Sequence, residues 1–253
     1  MTIGFYDQYY RNMDPHFIRW REVTGRIKAD NIIRICQERK IGSVLEIGCG
    51  TGIILKTLSE NGFGERYHAL DVSESALEYV KSQSIRGLVE TKAGDAMNIS
   101  YGDKSFDLAI LSHILEHLQN PAGALREAER VARLVVIEVP LEEHFFGHIR
   151  RKAWKILRRD ENTLPERKIG HIQSFNRKSV VRIAESCGLS VEKARIVYLP
   201  AKILFFNSRT PAAKLKSAVK VVLQGISRVI RRPLISVNFI MLCKEKNRGH
   251  VPN

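Results

Sequence analysis

Cysteine is scarce in this chain. Its 253 residues hold four, Cys36, Cys49, Cys187 and Cys243, with no C-x-x-C pair and no clustered histidine partner. That spacing argues against a structural zinc site or a disulfide framework, so no metal is expected. Reduced thiols of a cytoplasmic protein are the simpler reading. No uninterrupted apolar run approaches the roughly 18 residues that mark a membrane span. No charged-then-apolar leader opens the sequence, so export is not expected either. Acidic residues are missing from one long stretch: none occurs between Lys193 and Glu245. The formal charge of +14 is therefore uneven, with −4 on residues 1–147 and +18 on residues 148–253. A solvated face would mix signs, and a half this basic asks for an anionic partner.

The chain has an apolar strand that breaks into glycines. Residues 44–55 read Val-Leu-Glu-Ile-Gly-Cys-Gly-Thr-Gly-Ile-Ile-Leu, a strand, a tight turn and an apolar helix start. Such turns let the backbone reverse closely against a ligand at the carboxyl end of the strand. A dinucleotide fingerprint needs G-x-G-x-x-G, whose third glycine permits close helix–strand packing. The glycines here are Gly48, Gly50 and Gly52, and Ile53 occupies the place of the third. That disfavours a nicotinamide dinucleotide.

The turn resembles motif I of the class I S-adenosylmethionine (SAM)-dependent methyltransferases, in their small-molecule branch, and four further blocks follow in order. Ala69-Leu70-Asp71-Val72-Ser73 resembles the acidic end of the second strand, and Ala93-Gly94-Asp95-Ala96 the third-strand motif. Phe106 to Leu118 resembles the fourth strand and the helix after it, and Gly170-His171-Ile172-Gln173-Ser174-Phe175 a later signature. The resemblance implies an α/β, Rossmann-like fold: a seven-stranded, mostly parallel sheet sandwiched by helices, its last strand antiparallel. It also implies roles. Gly48, Cys49, Gly50 and Gly52 should line the amino-acid end of SAM, Asp71 should hold the ribose hydroxyls, and Val72 should pack beside adenine. Asp95 should accept from the adenine amino group with Ala96 near it, and Ser112 and His113 should lie below the methionine moiety. Glu46, an acid inside a strand and costly to bury alone, should order the turn or meet the SAM ammonium. The product would be S-adenosylhomocysteine (SAH).

A single domain is expected, with an N-terminal helical cap over 1–40 and the cofactor core over 41–140. Basic insertions over 141–170 and 199–232 should form a substrate cap, with a last strand over 233–246. Strands are expected at Val44–Ile47, Tyr67–Asp71, Leu88–Ala93, Phe106–Ser112 and Leu134–Val139, the fifth stopped by Pro140. Two more follow at Val191–Tyr198 and Pro233–Cys243. Ser73 and Asn176 read as helix N-caps, with Gly188 just past a helix end. Helices are expected from Ile18 to Gln37, Ile149 to Arg159 and Ala212 to Arg231. The last carries Leu215, Ala218, Val219, Val222, Ile226, Val229 and Ile230 at helical spacing, and Lys214, Lys216, Lys220 and Arg228 elsewhere. Related sequences place a Pro-Gly-Gly-type turn before strand five, but this chain runs Arg130-Val131-Ala132-Arg133-Leu134, leaving the start of that strand open.

Transfer to oxygen or nitrogen often uses a base, and histidine suits it. His113 and His171 are the candidates; His144 is a weaker one, His117 reads as a helix-packing or hydrogen-bonding residue, and transfer by proximity alone stays open. The basic half admits three readings. It is solvated, or it covers an anionic small-molecule acceptor or lies peripherally on an anionic membrane, or it grips nucleic-acid phosphates. The last is disfavoured: there is no Asn/Asp-Pro-Pro-Tyr stretch, no cysteine after strands four or five, and no aromatic residue interleaved with the basic residues of 209–232. A SAM-binding protein without catalysis is the remaining alternative.

Overall fold

The structure, a computed structural model, describes residues 3–141, 170–201, 206, 210–230 and 237–246. Seven strands form one sheet: β1 (Ser43–Ile47), β2 (Arg66–Asp71), β3 (Leu88–Ala93), β4 (Phe106–Ser112), β5 (Ala132–Leu141), β6 (Leu189–Val197) and β7 (Val237–Glu245). Their order is β3-β2-β1-β4-β5-β7-β6. All pairs are parallel except those of β7, which runs antiparallel to both β5 and β6. The order reverses between β1 and β4, and ligands of open α/β sheets bind in the crevice at such a switch point.

Helices α1 (Ile3–Arg11), α2 (Pro15–Ile35), α3 (Ile53–Glu60), α4 (Glu74–Ser82), α5 (Pro121–Val131), α6 (Arg177–Ser186) and α7 (Pro211–Ile230) complete the described elements. β1 and β4 are buried almost throughout because helices cover both faces. One core lies under α5 and α6, the other under α2, α3 and α4. The expected caps form. Ser73 Oγ accepts from Ala76 N at 3.2 Å; Asn176 Oδ1 accepts from Ser179 N at 2.8 Å within a reciprocal capping box. Gly188, at φ +86°, follows the end of α6.

Several boundaries differ from the sequence expectation. The first long helix starts at Pro15, capped by Asp14, which accepts from Phe17 N at 2.8 Å. Pro140 does not stop β5, which continues to Leu141. The ladder to β4 ends at Ser112 and Glu138, so no β4 carbonyl waits for the N–H that Pro140 lacks, and pairing to β7 carries the strand on. β6 runs Leu189–Val197 and β7 ends at Glu245, both differing from the expected bounds, because their mutual pairing runs from Leu189–Glu245 to Val197–Asn238; the expected start of the last strand, at 233–236, lies outside the described residues. The helix expected over Ile149–Arg159, and His144, lie outside the described residues.

The missing Pro-Gly-Gly turn has a structural answer. α5 passes into β5 with no linking residue, Val131 being helical and Ala132 already extended. The carbonyls stranded at this junction are taken by Lys104, whose Nζ donates to Glu129 O at 2.6 Å and to Ala132 O at 3.4 Å, and whose backbone N–H donates to Arg130 O at 2.8 Å. Arg130 turns back to the carbonyls of Ile99 and Tyr101 and to Glu127 and Asp103. A basic side chain thus does what a glycine cap would otherwise do.

β5 and β6 both end at the carboxyl edge of the parallel strands, and antiparallel β7 begins there. The excursion from β6 to β7, which contains α7, therefore starts and finishes at the ligand-binding edge. Within α7 the buried side chains are Ser217, Gln224 and Ser227, while Leu215, Val219, Val222, Ile226 and Val229 are exposed.

Replacing Lys104 by Met keeps the aliphatic stem and removes the donor. It should destabilise the fold by about 1–2 kcal/mol, the range for a charge-assisted bond at a partly exposed site. A lower denaturant midpoint at unchanged m-value is the expected readout, with ligand affinity unaffected.

Candidate active site

The turn after β1 takes three left-handed backbone positions: φ is +73° at Gly48, +52° at Gly50 and +66° at Gly52. A Cβ on Gly48 would sit 2.5 Å from Ile114 Cδ1, and one on Gly50 2.6 Å from the Tyr10 hydroxyl. Glycine is required here by both strain and space. The role of a dinucleotide fingerprint's third glycine has moved to α2. A Cβ on Gly25 would lie 2.1 Å from Ile53 Cγ2, so Ile53 packs against a glycine on the facing helix.

The amide groups of the turn are already committed. Gly48 N and Cys49 N donate to Leu70 O at 2.8 and 3.1 Å, Gly52 N to Cys49 O at 2.9 Å, and Gly50 N to Asp71 Oδ2 at 2.8 Å. A phosphate-binding turn aims such donors at its ligand; this one does not. The acids beside it face the cavity instead. Glu46 is buried at the end of β1, and among the described residues its Oε2 has no hydrogen-bond partner. Burial pushes its carboxyl up to about 8 despite the nearby Lys28 ammonium. Asp71 accepts from Gly50 N and, through Oδ1, from Ser73 N at 3.0 Å; burial raises its carboxyl, and these amides oppose the rise.

α1 closes over this end of the site. Asp7 accepts from Ser75 N at 2.9 Å and from the hydroxyls of Ser75 and Ser73 at 2.7 and 3.1 Å, which pins α1 to the start of α4. Tyr10 is held by Arg21 Nη2 at 2.8 Å. Burial raises the Tyr10 phenol strongly, so it stays neutral.

The opposite wall comes from the ends of β4 and β5. Glu138 is fully buried, with Ser112 Oγ donating at 2.7 Å to one oxygen and Asn238 Nδ2 at 3.1 Å to the other. Its backbone carbonyl accepts from His113 N at 2.9 Å. His113 takes φ +57°, a left-handed conformation that a non-glycine residue adopts at a cost. Its Nδ1 lies 3.4 Å from Glu116 Oε1. Burial first, then Lys28 and the other histidines, hold His113 well below the ordinary imidazole range, so it is neutral near pH 7.

The segment after β4 is clasped by the segment at 170–173. Ile172 N and Gln173 N both donate to Glu116 O, at 2.8 and 3.0 Å. His117 Nδ1 lies 3.1 Å from Gly170 O; a carbonyl only accepts, so Nδ1 carries the proton. The His117 and His171 rings meet edge to face at 4.9 Å. Donor atoms of Glu116, His117 and His171 lie within 4.8 Å of one another. This is a donor set of the kind a divalent cation takes.

One cavity of about 1490 Å³ joins both ends, above the roughly 300–1,000 Å³ usual for one small ligand. Of the residues singled out in the sequence, Glu46, Gly48, Cys49, Gly50, Asp71, Val72, Asp95, Ala96, Ser112, His113 and His171 line it. Gly52 does not. It is the N-cap residue of α3 and faces Val80. Asp95 sits exposed at the rim, bonded from Met97 N at 2.9 Å. The sequence did not single out Arg21 and Lys28, one face of α2 seven residues apart, or Tyr6, Tyr10 and Glu116, all on the cavity wall. Only the last left a sequence signal, an acid in an otherwise apolar run. Among the described residues Lys28 makes no ion pair, although Glu138, Glu116 and Glu46 all act on it. The helix read after β4 is a single 3₁₀ turn, Leu115–His117; of the two readings of His117, helix packing or hydrogen bonding, the structure shows the second, with Gly170 O as its partner.

The family described as "Methyltransferase domain" matches residues 17–194. Ajmaline N-methyltransferase of Rauvolfia serpentina is 28% identical over 99 residues, which cover 38% of this chain and 34% of that protein. Demethylmenaquinone methyltransferase of Leptospira interrogans is 29% identical over 141 residues, covering 51% and 57%. The chain thus spans about a third to just over half the length of these curated relatives. The fold is shared with magnesium protoporphyrin IX methyltransferase from Synechocystis PCC 6803, solved with bound SAH, at TM-score 0.61, 12% identity and coverage of 97% and 95%. A putative methyltransferase from Bacillus halodurans superposes at TM-score 0.58 with 15% identity, covering 88% and 99%. With its switch-point cavity, its glycine turn free of phosphate donors and a family match over most of its length, this chain belongs to the class I SAM-dependent methyltransferases.

Proposed function

We propose that this chain binds SAM at the Glu46–Asp71 end of the cavity and transfers its methyl group to an oxygen or nitrogen of a small-molecule acceptor, anionic or linked to a lipid or glycan, at the histidine end. The observation that carries this reading is the one cavity in which a glycine turn, beside a buried acid with one unpartnered oxygen, faces a cluster of histidines. When bound, SAM supplies a methyl group activated on a sulfonium. Glu46 fits its α-ammonium, since an unpartnered carboxylate oxygen on the wall calls for a cation. Asp71 fits the ribose, Val72 and Ala96 the adenine, and Asp95 the adenine amino group. Gly48, Cys49 and Gly50 allow the close approach, Gly52 holds the turn from behind, and Ser112 is fixed by Glu138 beneath the methionine.

The protein's part in catalysis is mainly alignment. Arg21 and Lys28 place two basic groups on the cavity wall, Lys28 with its ammonium disfavoured by burial, and an acceptor bearing negative charge would suit both. His113 or His171 takes the acceptor's proton as the methyl moves; for His113, Glu116 at 3.4 Å from Nδ1 stabilises the resulting imidazolium. A lipid-linked acceptor places the enzyme at the cytoplasmic face of a membrane. A screen for SAM consumption over anionic metabolites, lipid-linked intermediates, peptides and transfer RNA, read by product mass, tests the assignment. Methylated RNA would overturn the small-molecule reading, and SAH binding without any product would favour a non-catalytic role.

Two variants test the chemistry. His171→Ala and His113→Ala should leave SAH affinity unchanged, and loss of the working base should lower kcat on the order of 10²-fold or more. If neither variant lowers kcat, transfer proceeds by proximity alone.

Glu46 gives a pH signature. In the unliganded protein its carboxyl keeps a proton up to about pH 8, whereas an ammonium beside it favours the ionised form. SAH binding near pH 7 should therefore release a proton, and affinity should rise with pH until about 8. Glu46→Gln should weaken binding and flatten that profile, as titration calorimetry in buffers of different ionisation enthalpy will show. The same shift makes the empty fold less stable as pH rises from 4.5 to about 8, since the unfolded chain loses this proton first.

A further inference from the structure

α7 is amphipathic in the wrong sense for a helix in water. At 100° per residue, Leu215, Val219, Val222, Ile226 and Val229 fall within an arc of roughly 80°. They are 67, 48, 61, 44 and 82% exposed. Among the described residues these are five of the nine exposed large apolar side chains, so the apolar surface is concentrated on one helix face. The side turned inward carries Ser217, Gln224 and Ser227 instead. Burying small polar groups while presenting a continuous aliphatic stripe outward is unfavourable unless something apolar meets the stripe.

Charge identifies what meets it. Lys214 and Lys216 lie about 100° to either side of the stripe centre, with Lys220 further round, and all three are exposed. No acidic residue occurs anywhere from 194 to 244. A second copy of this chain pairing stripe to stripe would bring these lysine rows together with no carboxylate on α7 to offset them. An anionic lipid leaflet supplies both requirements, acyl chain for the stripe and phosphate for the lysines. The position agrees. The excursion that carries α7 leaves and re-enters the sheet at the cavity edge, and on its way Phe206 packs at 5.1 Å against His16, which lines the cavity. Two further exposed large side chains, Phe5 and Tyr9, also line the cavity mouth.

We infer that the outward face of α7, Leu215, Val219, Val222, Ile226 and Val229 flanked by Lys214, Lys216 and Lys220, is a docking surface for an anionic lipid bilayer. The inference stands apart from the methyl-transfer reading, because vesicle binding needs neither SAM nor acceptor.

The full chain is tested by co-sedimentation with vesicles of phosphatidylcholine alone and of phosphatidylcholine mixed with phosphatidylglycerol. Binding is expected to the mixed vesicles only and to weaken as salt rises. Lys214→Glu, Lys216→Glu and Lys220→Glu together should reduce partitioning on the order of a hundredfold or more. Val222→Asp with Val229→Asp should abolish it without changing surface lysines. Both sets lie on the exposed face, so circular dichroism and SAH affinity should match the wild type, which separates lost docking from lost fold. Equal binding to neutral vesicles would overturn the charge assignment. Absence of vesicle binding would overturn the inference, whether light scattering then shows a dimer that Val222→Asp dissociates, or short RNA binds in a manner lost in the lysine variant.

Discussion

The Asp71 carboxylate is the fastener on which the rest of the site depends. It ends β2, yet it accepts from Gly50 in the turn after β1 and from Ser73 at the cap of α4. Two loops from neighbouring strands are thereby fixed to one side chain at the sheet's switch point. The glycines can then hold left-handed angles without wandering, and the start of α4 is placed where Asp7 of α1 can bond to Ser73 and Ser75. The lid over the cavity is thus positioned through a short chain of hydrogen bonds that begins at one buried acid. Burial raises that acid, and three backbone amides favour its charged form.

Glu138 plays a matching part on the other wall with a different chemistry. Neutral donors, Ser112 and Asn238, satisfy both its oxygens, while its carbonyl holds His113 in a conformation that costs energy. Two buried acids therefore frame the cavity, one ordering the turn that meets the cofactor, one aiming the imidazole. Between them Glu46 is left with an unsatisfied oxygen. A fold tolerates such an atom where a ligand completes it.

β1 and β4 were legible because they are buried almost throughout and read as apolar runs with glycine or acidic punctuation. β3 and β4 start and stop where the pattern said. What failed depended on pairing partners distant in sequence. β5 extends through Pro140 because β7 supports it, and β6 and β7 set their limits by each other. At the site, the motif residues were readable because turn geometry demands specific types. Arg21 and Lys28 were not, since a cation on a helix face looks the same in sequence whether it meets water or a cavity. The apolar period of α7 was read correctly, but periodicity fixes only the stripe and not which way it faces.

The antiparallel strand explains why the basic half has room to act. A crossover between parallel strands must travel from one edge of the sheet to the other, and its helix is used up covering a face. The β6-to-β7 connection has no such duty, because both its ends lie at the cavity edge. Its helix is free of the core, and this is consistent with a buried side that is small and polar. Here it displays lysine and aliphatic side chains together, a combination suited to an interface where charge and hydrocarbon lie within one helix width of each other.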